Sequence, residues 1–243
     1  MSDPFYWGLW DGQALVVGCG GIGRALLEVL PQFCPHLELW SAGRAPDTSR
    51  HLQLDLCDDR SIDAFGVRAA QNLDSLRLVI HTSGLLHDGD LQPEKRLAQV
   101  RRAWLERSFA VNAYGPLLLA QVLEPLIPRA LPSQFASLSA RVGSIGDNHL
   151  GGWYAYRAAK AAQNQLLRTL ALEWRRRRPL SCVSLLHPGT TATGLSEPFR
   201  GGVAAEKLFS AEQAAVQLLT VLADRRPEHS GEFLAWDGTP VPW

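Results

Sequence analysis

The chain has 243 residues, of which 46% are hydrophobic and 20% charged, which suits one folded core rather than a disordered chain. Lys plus Arg and Asp plus Glu number 24 each, so no global charge favours nucleic acid or an anionic membrane as the main partner. Cys19, Cys34, Cys57 and Cys182 lack CxxC pairing and nearby histidines, which argues against a disulfide framework or zinc site and for a reducing, cytoplasmic setting. Without a basic-then-apolar leader or a run of about 18 apolar residues, neither secretion nor a membrane span is expected.

The first predicted strand, 14–17, runs into Gly18-Cys19-Gly20-Gly21-Ile22-Gly23-Arg24 and a helix over 22–33. In Gly-x-Gly-x-x-Gly the first glycine permits a tight turn. The second lets backbone approach a pyrophosphate, and the third lets helix and strand pack closely. The N–H groups and positive dipole end of the helix favour phosphate, so the turn predicts a dinucleotide site. The end of the second strand, 37–40, bears on cofactor choice. An acid there would bind a ribose 2′-hydroxyl, and an arginine would accommodate a 2′-phosphate. Ser41 stands where the acid is expected, Arg44 follows, and Glu38 falls inside the strand. NADP(H) is favoured, NAD(H) is the alternative, and a solvated loop charge is the plain reading of Arg44.

A third short strand, 52–54, precedes Asp55, Leu56 and a helix over 61–72. A fourth, 78–81, leads into Thr82-Ser83-Gly84, and helices over 93–109 and 111–127 follow. The fifth, 135–139, ends at Ser139-Ala140-Arg141-Val142-Gly143-Ser144, before a long helix over 153–177. The sixth, 182–186, runs into His187-Pro188-Gly189-Thr190-Thr191-Ala192-Thr193, and a helix over 211–223 and a strand over 233–236 come after it. Strands alternating with helices predict crossover units. Right-handed crossovers then give an α/β, Rossmann-type doubly wound parallel sheet of about seven strands with helices on both faces. No linker, repeat or low-complexity block divides 1–243, so a single domain is expected.

Tyr156 and Lys160 lie four apart on the long helix, so phenol and ammonium share a face and can converge on one ligand. A free tyrosine, with a pKa of about 10, is a poor acid at neutral pH. An adjacent ammonium and a cationic nicotinamide would both lower it towards the working range. Alone, the pair is equally a surface Tyr beside a solvated Lys; with the glycine turn it points to a nicotinamide site.

Over essentially its whole length the sequence resembles the short-chain dehydrogenase/reductase family, and more narrowly its C-factor and sniffer-like carbonyl reductase branch. The narrower likeness rests on 139–145, on Gly151-Gly152-Trp153-Tyr154-Ala155-Tyr156-Arg157 and on Gly231-Glu232-Phe233-Leu234-Ala235-Trp236-Asp237-Gly238. The resemblance implies an NAD(P)-dependent oxidoreductase acting on a small carbonyl or alcohol, with Asn112, Ser139, Tyr156 and Lys160 as catalytic set. Tyr156 would be the general acid in reduction, and Lys160 would bond the nicotinamide ribose and lower the Tyr pKa. Asn112, in Phe109-Ala110-Val111-Asn112-Ala113, would break its helix and hold a relay water. Pro188, Gly189, Thr191 and Thr193 would fix the nicotinamide amide, and with it the ring face that delivers hydride. Asp55 would meet the adenine amino group, though it could equally serve a helix start. Leu56, Thr82, Ser83 and Gly84 join the cofactor set, beside Gly18, Gly20, Gly21, Ile22, Gly23, Ser41 and Arg44. A homodimer or homotetramer through the helices bearing Asn112 and Tyr156 is also implied.

Three features depart from the family pattern. The glycine turn is one residue shorter than TGxxxGxG. The NNAG segment is His81-Thr82-Ser83-Gly84. The family Ser, three residues before a Gly, falls on Ala140. A shift of one residue along a strand turns a side chain to the other face, so Ser139 serves only if the strand end is irregular. Ser144, or no serine at all, stays open. The 194–202 segment is expected to be a substrate lid, with His87, His149 and Trp153 as candidate pocket borders. The run Arg175–Arg178 before Pro179 reads as a dipole-complementing helix end, with an anion, RNA or membrane patch as the alternative. A cofactor-bound signalling protein with little turnover is the competing functional reading.

Overall fold

The structure, a computed structural model, describes residues 3–45, 49–89, 91–202 and 204–243. Seven parallel strands form the main sheet: β1 (Gly12–Val17), β2 (Leu37–Gly43), β3 (His51–Gln53), β4 (Leu76–His81), β5 (Ser133–Leu138), β6 (Ser181–His187) and β9 (Glu232–Ala235). Their order is β3-β2-β1-β4-β5-β6-β9. It reverses direction beside β1, between β1 and β4, and so opens a crevice at the carboxyl ends of those strands. A second parallel pair, β7 (Thr190–Thr191) with β8 (Leu208–Phe209), ties the two ends of the 192–207 segment together. The sequence pattern missed it because two residues carry no periodicity.

Alternation along the strands divides the core. Ala14, Val16, Leu78, Ile80, Ala136 and Leu138 face α1 (Gly21–Phe33) and α6 (Ala211–Ala223). Leu15, Val17, Val79, Phe135, Val183 and Leu185 face α2 (Asp59–Asn72), α4 (Gly115–Leu123) and α5 (Tyr154–Arg177). Successive side chains of a strand point to opposite faces, so apolar runs buried on both sides are what a helix-covered parallel sheet requires. Local signals start the helices where caps exist. Asp58 accepts from Arg60 N at 3.0 Å ahead of α2, and Ser210 and Gln213 form a reciprocal box ahead of α6.

Two predicted helices are shorter or less regular than expected. The 93–109 pattern becomes an extended segment, a 3-10 turn at Leu97–Gln99, and α3 (Arg102–Phe109). There the Gln99 side chain takes the Lys95 and Arg96 N–H groups, and Glu94 is drawn onto the start of α5. The 111–127 pattern opens with a π-helical turn at Ala110–Tyr114 before α4 and a 3-10 turn, Glu124–Leu126. The arginine run is partly absorbed into the fold. Arg178 is buried and bonds Glu124 and the Ile127 carbonyl, while Arg177 pairs with Glu173 and Glu124. Among the described residues no helix is long and apolar enough to cross a membrane, and no cluster of His, Cys, Asp or Glu could hold a metal.

Candidate active site

The glycine turn sits at the crevice with the geometry its sequence demands. Gly18 has φ +101°, and a Cβ on Gly23 would stand 1.8 Å from the Gly18 carbonyl oxygen, so helix and strand touch through glycine alone. Around Gly20, by contrast, a Cβ would meet nothing within 4 Å. That open flank faces a cleft of about 560 Å³ whose walls include Gly18–Arg24, Arg44, Asp55, Leu56, Thr82–Leu85 and Thr193–Leu195. The Thr82 hydroxyl lies 2.8 Å from the Gly18 carbonyl and 3.1 Å from that of Val17, which ties the end of β4 to the turn. Asp55 borders the cleft while its Oδ1 accepts from Cys57 N at 2.9 Å, so it also braces the turn before α2.

The cleft thus gathers Gly18, Gly20, Gly21, Ile22, Gly23, Arg44, Asp55, Leu56, Thr82, Ser83, Gly84 and Thr193. Ser41 stands apart. β2 runs on to Gly43 because Ala42 and Gly43 pair with Leu52 and Gln53 of β3, so Ser41 is inside the strand and its hydroxyl meets His51 Nδ1 at 2.8 Å. Arg44 therefore follows the true strand end directly. Sequence reasoning overlooked Arg24, Arg107, Asp88, Cys19 and Val111, all of which line the cleft. Arg24 was readable from its place one residue after the glycine turn. The ion pair of Arg107 with Asp88 joins two distant segments and left no local signal.

Tyr156, Lys160, Pro188, Gly189 and Thr191 do not line this cleft. Tyr156 and Lys160 are buried one turn apart on α5, with Lys160 Nζ 5.8 Å from the Tyr156 ring centre. Lys160 Nζ donates to the Leu138 carbonyl at 2.8 Å and to Gln163 Oε1 at 2.9 Å. Burial holds the ammonium down to about 7 and pushes the Tyr156 phenol well above its ordinary value. At Tyr156 burial is the cause of the shift, and the cationic nicotinamide that was expected to act with the ammonium is not part of this structure. Thr191 is buried, its hydroxyl 3.4 Å from the Pro188 carbonyl, and Phe209 packs where a Cβ on Gly189 would go.

Asn112 lies within the π-helical turn. Its Oδ1 accepts from Leu85 N at 2.9 Å, and its Nδ2 donates to the Leu85 carbonyl at 2.7 Å and to Ser108 Oγ at 3.1 Å. It clamps the segment after Gly84 rather than facing the cleft. Ser139 N continues the ladder to the Leu186 carbonyl and Ala140 stays extended, so the strand end is regular. Ser139 keeps the face that looks at α5, and its hydroxyl donates to Asn164 Oδ1 at 2.6 Å. Its expected place at the substrate oxygen is not what this geometry shows. Ser144 is buried and accepts from Asp147 N.

Over a 3-10 turn at Glu197–Gly202, Phe199 packs edge-on to Trp153 (5.0 Å) and to His87 (6.0 Å), and Trp153 meets Tyr156 at 6.3 Å. His87 Nε2 lies 3.1 Å from the Gly194 carbonyl. His87 lines the cleft and meets Phe199, Trp153 packs between Phe199 and Tyr156, and His149 is exposed on the 144–152 loop. Trp153 has φ +52°, and its N–H donates to the Glu94 carbonyl. Glu94 Oε2 accepts from Ala155 N at 3.2 Å, so a residue of the β4–α3 connection fixes the first turn of the Tyr156 helix.

A glycine turn at the strand-order reversal, with a Tyr–Lys pair buried on the helix after β5, belongs to a doubly wound, Rossmann-type α/β scaffold. Residues 40–222 match the family model described as enoyl-(acyl carrier protein) reductase. The C-signal of Myxococcus xanthus is 34% identical over 60% of this chain and 83% of that protein. The 1-hydroxy-2-glutathionyl-2-methyl-3-butene dehydrogenase of Rhodococcus sp. (strain AD45) is 30% identical over 78% of each. The NADPH-bound carbonyl reductase from chicken fatty liver shares the fold at 22% identity, with a TM-score of 0.83 over 96% of this chain and all of that one. The chain belongs to the short-chain dehydrogenase/reductase family.

Proposed function

We propose that the protein is an NADP(H)-dependent carbonyl reductase in which Tyr156 is the proton donor. The observation that carries this reading is the pairing of an open-flanked glycine turn with Tyr156 and Lys160 buried beside a closed aromatic lid. The cleft fits a dinucleotide: Gly20 leaves backbone open to a pyrophosphate, the α1 N-terminus points at it, and Arg24 and Arg44 line the walls. Arg44 follows β2 directly and lines the cleft, which supports its meeting a 2′-phosphate. The chicken carbonyl reductase that shares the fold is NADPH-bound, which agrees with that choice.

The nicotinamide, when bound, supplies the hydride and, once oxidised, a positive charge near the phenol. Tyr156 gives its proton to the carbonyl oxygen as the alcohol forms. Lys160 keeps the phenolate form accessible by its charge, against the burial that opposes it. Phe199 and Trp153 exclude water, and the 194–202 segment moves aside for the substrate. With Ser139 bonded to Asn164, Tyr156 carries the orientation of the substrate oxygen.

The test is NADPH consumption with a panel of aldehydes and ketones, comparing the native protein with Tyr156→Phe. The variant is expected to lose at least about 100-fold in kcat/KM, the range of a general acid; an unchanged rate overturns the mechanism. A cofactor-bound signalling protein of low turnover is the second reading, favoured by the likeness to C-signal and the turned-away Ser139. Tight NADPH binding with no turnover across the panel would select it.

A further inference from the structure

Beneath the Tyr–Lys pair lies a chain of buried polar groups that runs across three elements. Gln163, one turn after Lys160 on α5, is fully buried, and its Oε1 accepts from Lys160 Nζ. Its Nε2 donates to Ser137 Oγ at 2.8 Å and to the Leu138 carbonyl at 3.2 Å. Ser137, on β5, meets His81 Nδ1 on the neighbouring β4 at 2.9 Å, the two residues standing opposite each other in the ladder.

The direction of each bond follows from its neighbours. A flipped Gln163 amide would set two donors, NH2 and ammonium, against each other, so the carbonyl must face Lys160. The amide N–H then occupies a lone pair of Ser137 Oγ, whose own proton is free to go to His81 Nδ1. With that proton donated to Nδ1 the imidazole is the Nε2–H tautomer; in either tautomer the ring is neutral, in keeping with a pKa held down to about 3 by burial and by the Lys160 charge. Its Nε2 is buried without a partner among the described residues. A buried polar ring kept at that cost calls for a reason.

We propose that Gln163 is a positioning residue for Lys160, with Ser137 and His81 orienting its amide so that the carbonyl dipole holds the ammonium beside Tyr156. The inference deepens the reading of Tyr156 and Lys160 as the proton machinery and rests on it. It is not a proton wire, because an amide passes no proton at its nitrogen under these conditions. Of the two acceptors the ammonium has among the described residues, the Leu138 carbonyl belongs to the backbone of β5. Gln163 is the one a side-chain change can remove.

The experiment compares Gln163→Met, which keeps the length and loses the acceptor, with Gln163→Glu, which restores an acceptor oxygen. NADPH dissociation constants are read by tryptophan fluorescence, and kcat and KM with 4-nitrobenzaldehyde. Gln163→Met is expected to lower kcat roughly 10-fold and raise the NADPH dissociation constant about fivefold, as for one lost hydrogen bond to a charged group, with KM for the aldehyde little changed. Gln163→Glu keeps an acceptor for Lys160 but sets its other oxygen against the Leu138 carbonyl, so it returns both only in part, to a loss smaller than that of Gln163→Met. Ser137→Ala, which frees the amide without touching Lys160, lowers kcat by a smaller factor. It stands in for Gln163→Met, with its NADPH constant expected to rise, should the latter not fold. Equal impairment of the Met and Glu variants, or a native NADPH constant and kcat in Gln163→Met, overturns the assignment, as does native behaviour of Ser137→Ala when it stands in. If Tyr156→Phe abolishes turnover while Gln163→Met does not change it, this inference alone fails. If Tyr156→Phe leaves turnover intact, the mechanism beneath it fails too.

Discussion

Acidification should reveal His81 through stability. Its ring is buried at the β4–β5 junction and its pKa falls from 6.5 to about 3. Above the unfolded value of 6.5 the ring is neutral folded or unfolded, and its full contribution is present. As pH falls from 6.5 to about 3, the unfolded chain binds a proton that the folded protein refuses, and stability drops. At about 1.4 kcal/mol per unit the total loss is on the order of 5 kcal/mol, a large part of the roughly 5–15 kcal/mol of an ordinary domain. His187, lowered to about 4, adds a loss of the same sign over a narrower window. Replacing His81 by Asn removes one titrating group, at an offset of about 1 kcal/mol for the lost Ser137 bond. Urea unfolding followed by tryptophan fluorescence at several pH values then gives two slopes. The native slope between pH 6 and 4 should exceed that of His81→Asn by about one proton, or about 1.4 kcal/mol per pH unit. Equal slopes would refute the neutral buried imidazole and the tautomer built on it.

Other substitutions test separate parts of the site. Gly23→Ala drives a Cβ into the Gly18 carbonyl, and NADPH affinity measured by fluorescence should fall at least about tenfold as the turn opens; native affinity would show the turn to be pliable. Arg44→Ala should weaken NADPH roughly tenfold and leave NADH within about twofold, the signature of a lost charge-assisted phosphate contact. Ser139→Ala should cost about 1–2 kcal/mol in chemical unfolding by orphaning Asn164, yet leave kcat within about twofold. A loss near 100-fold would mean instead that the hydroxyl turns to the substrate oxygen during the reaction.

Local chemistry carried much of the identification. The Gly18–Gly23 turn, the four-residue spacing of Tyr156 and Lys160, and the alternation of strands with helices are short-range patterns, and a chain that obeys sterics and helical period leaves few other folds for them. The 37–40 and 135–139 segments show where such patterns run out. Pairing with β3 carries β2 three residues further and internalises Ser41. A regular exit from β5 sends Ser139 to Asn164. Both outcomes turn on hydrogen bonds to a neighbouring strand, and a one-residue difference in a ladder exchanges the two faces of a sheet.

What the amino-acid order determined by itself was therefore the parallel sheet, the Gly18–Gly23 turn and the Tyr156–Lys160 face. Tertiary structure alone decided the rest: Phe199 closed over Trp153, Asn112 clamped on Leu85, and Lys160 held through Gln163 and Ser137 to His81. These groups come from elements far apart in the chain. Their partners are chosen by which buried donors and acceptors the packed sheet leaves facing each other, and in a water-poor interior each must find one or cost the fold its stability.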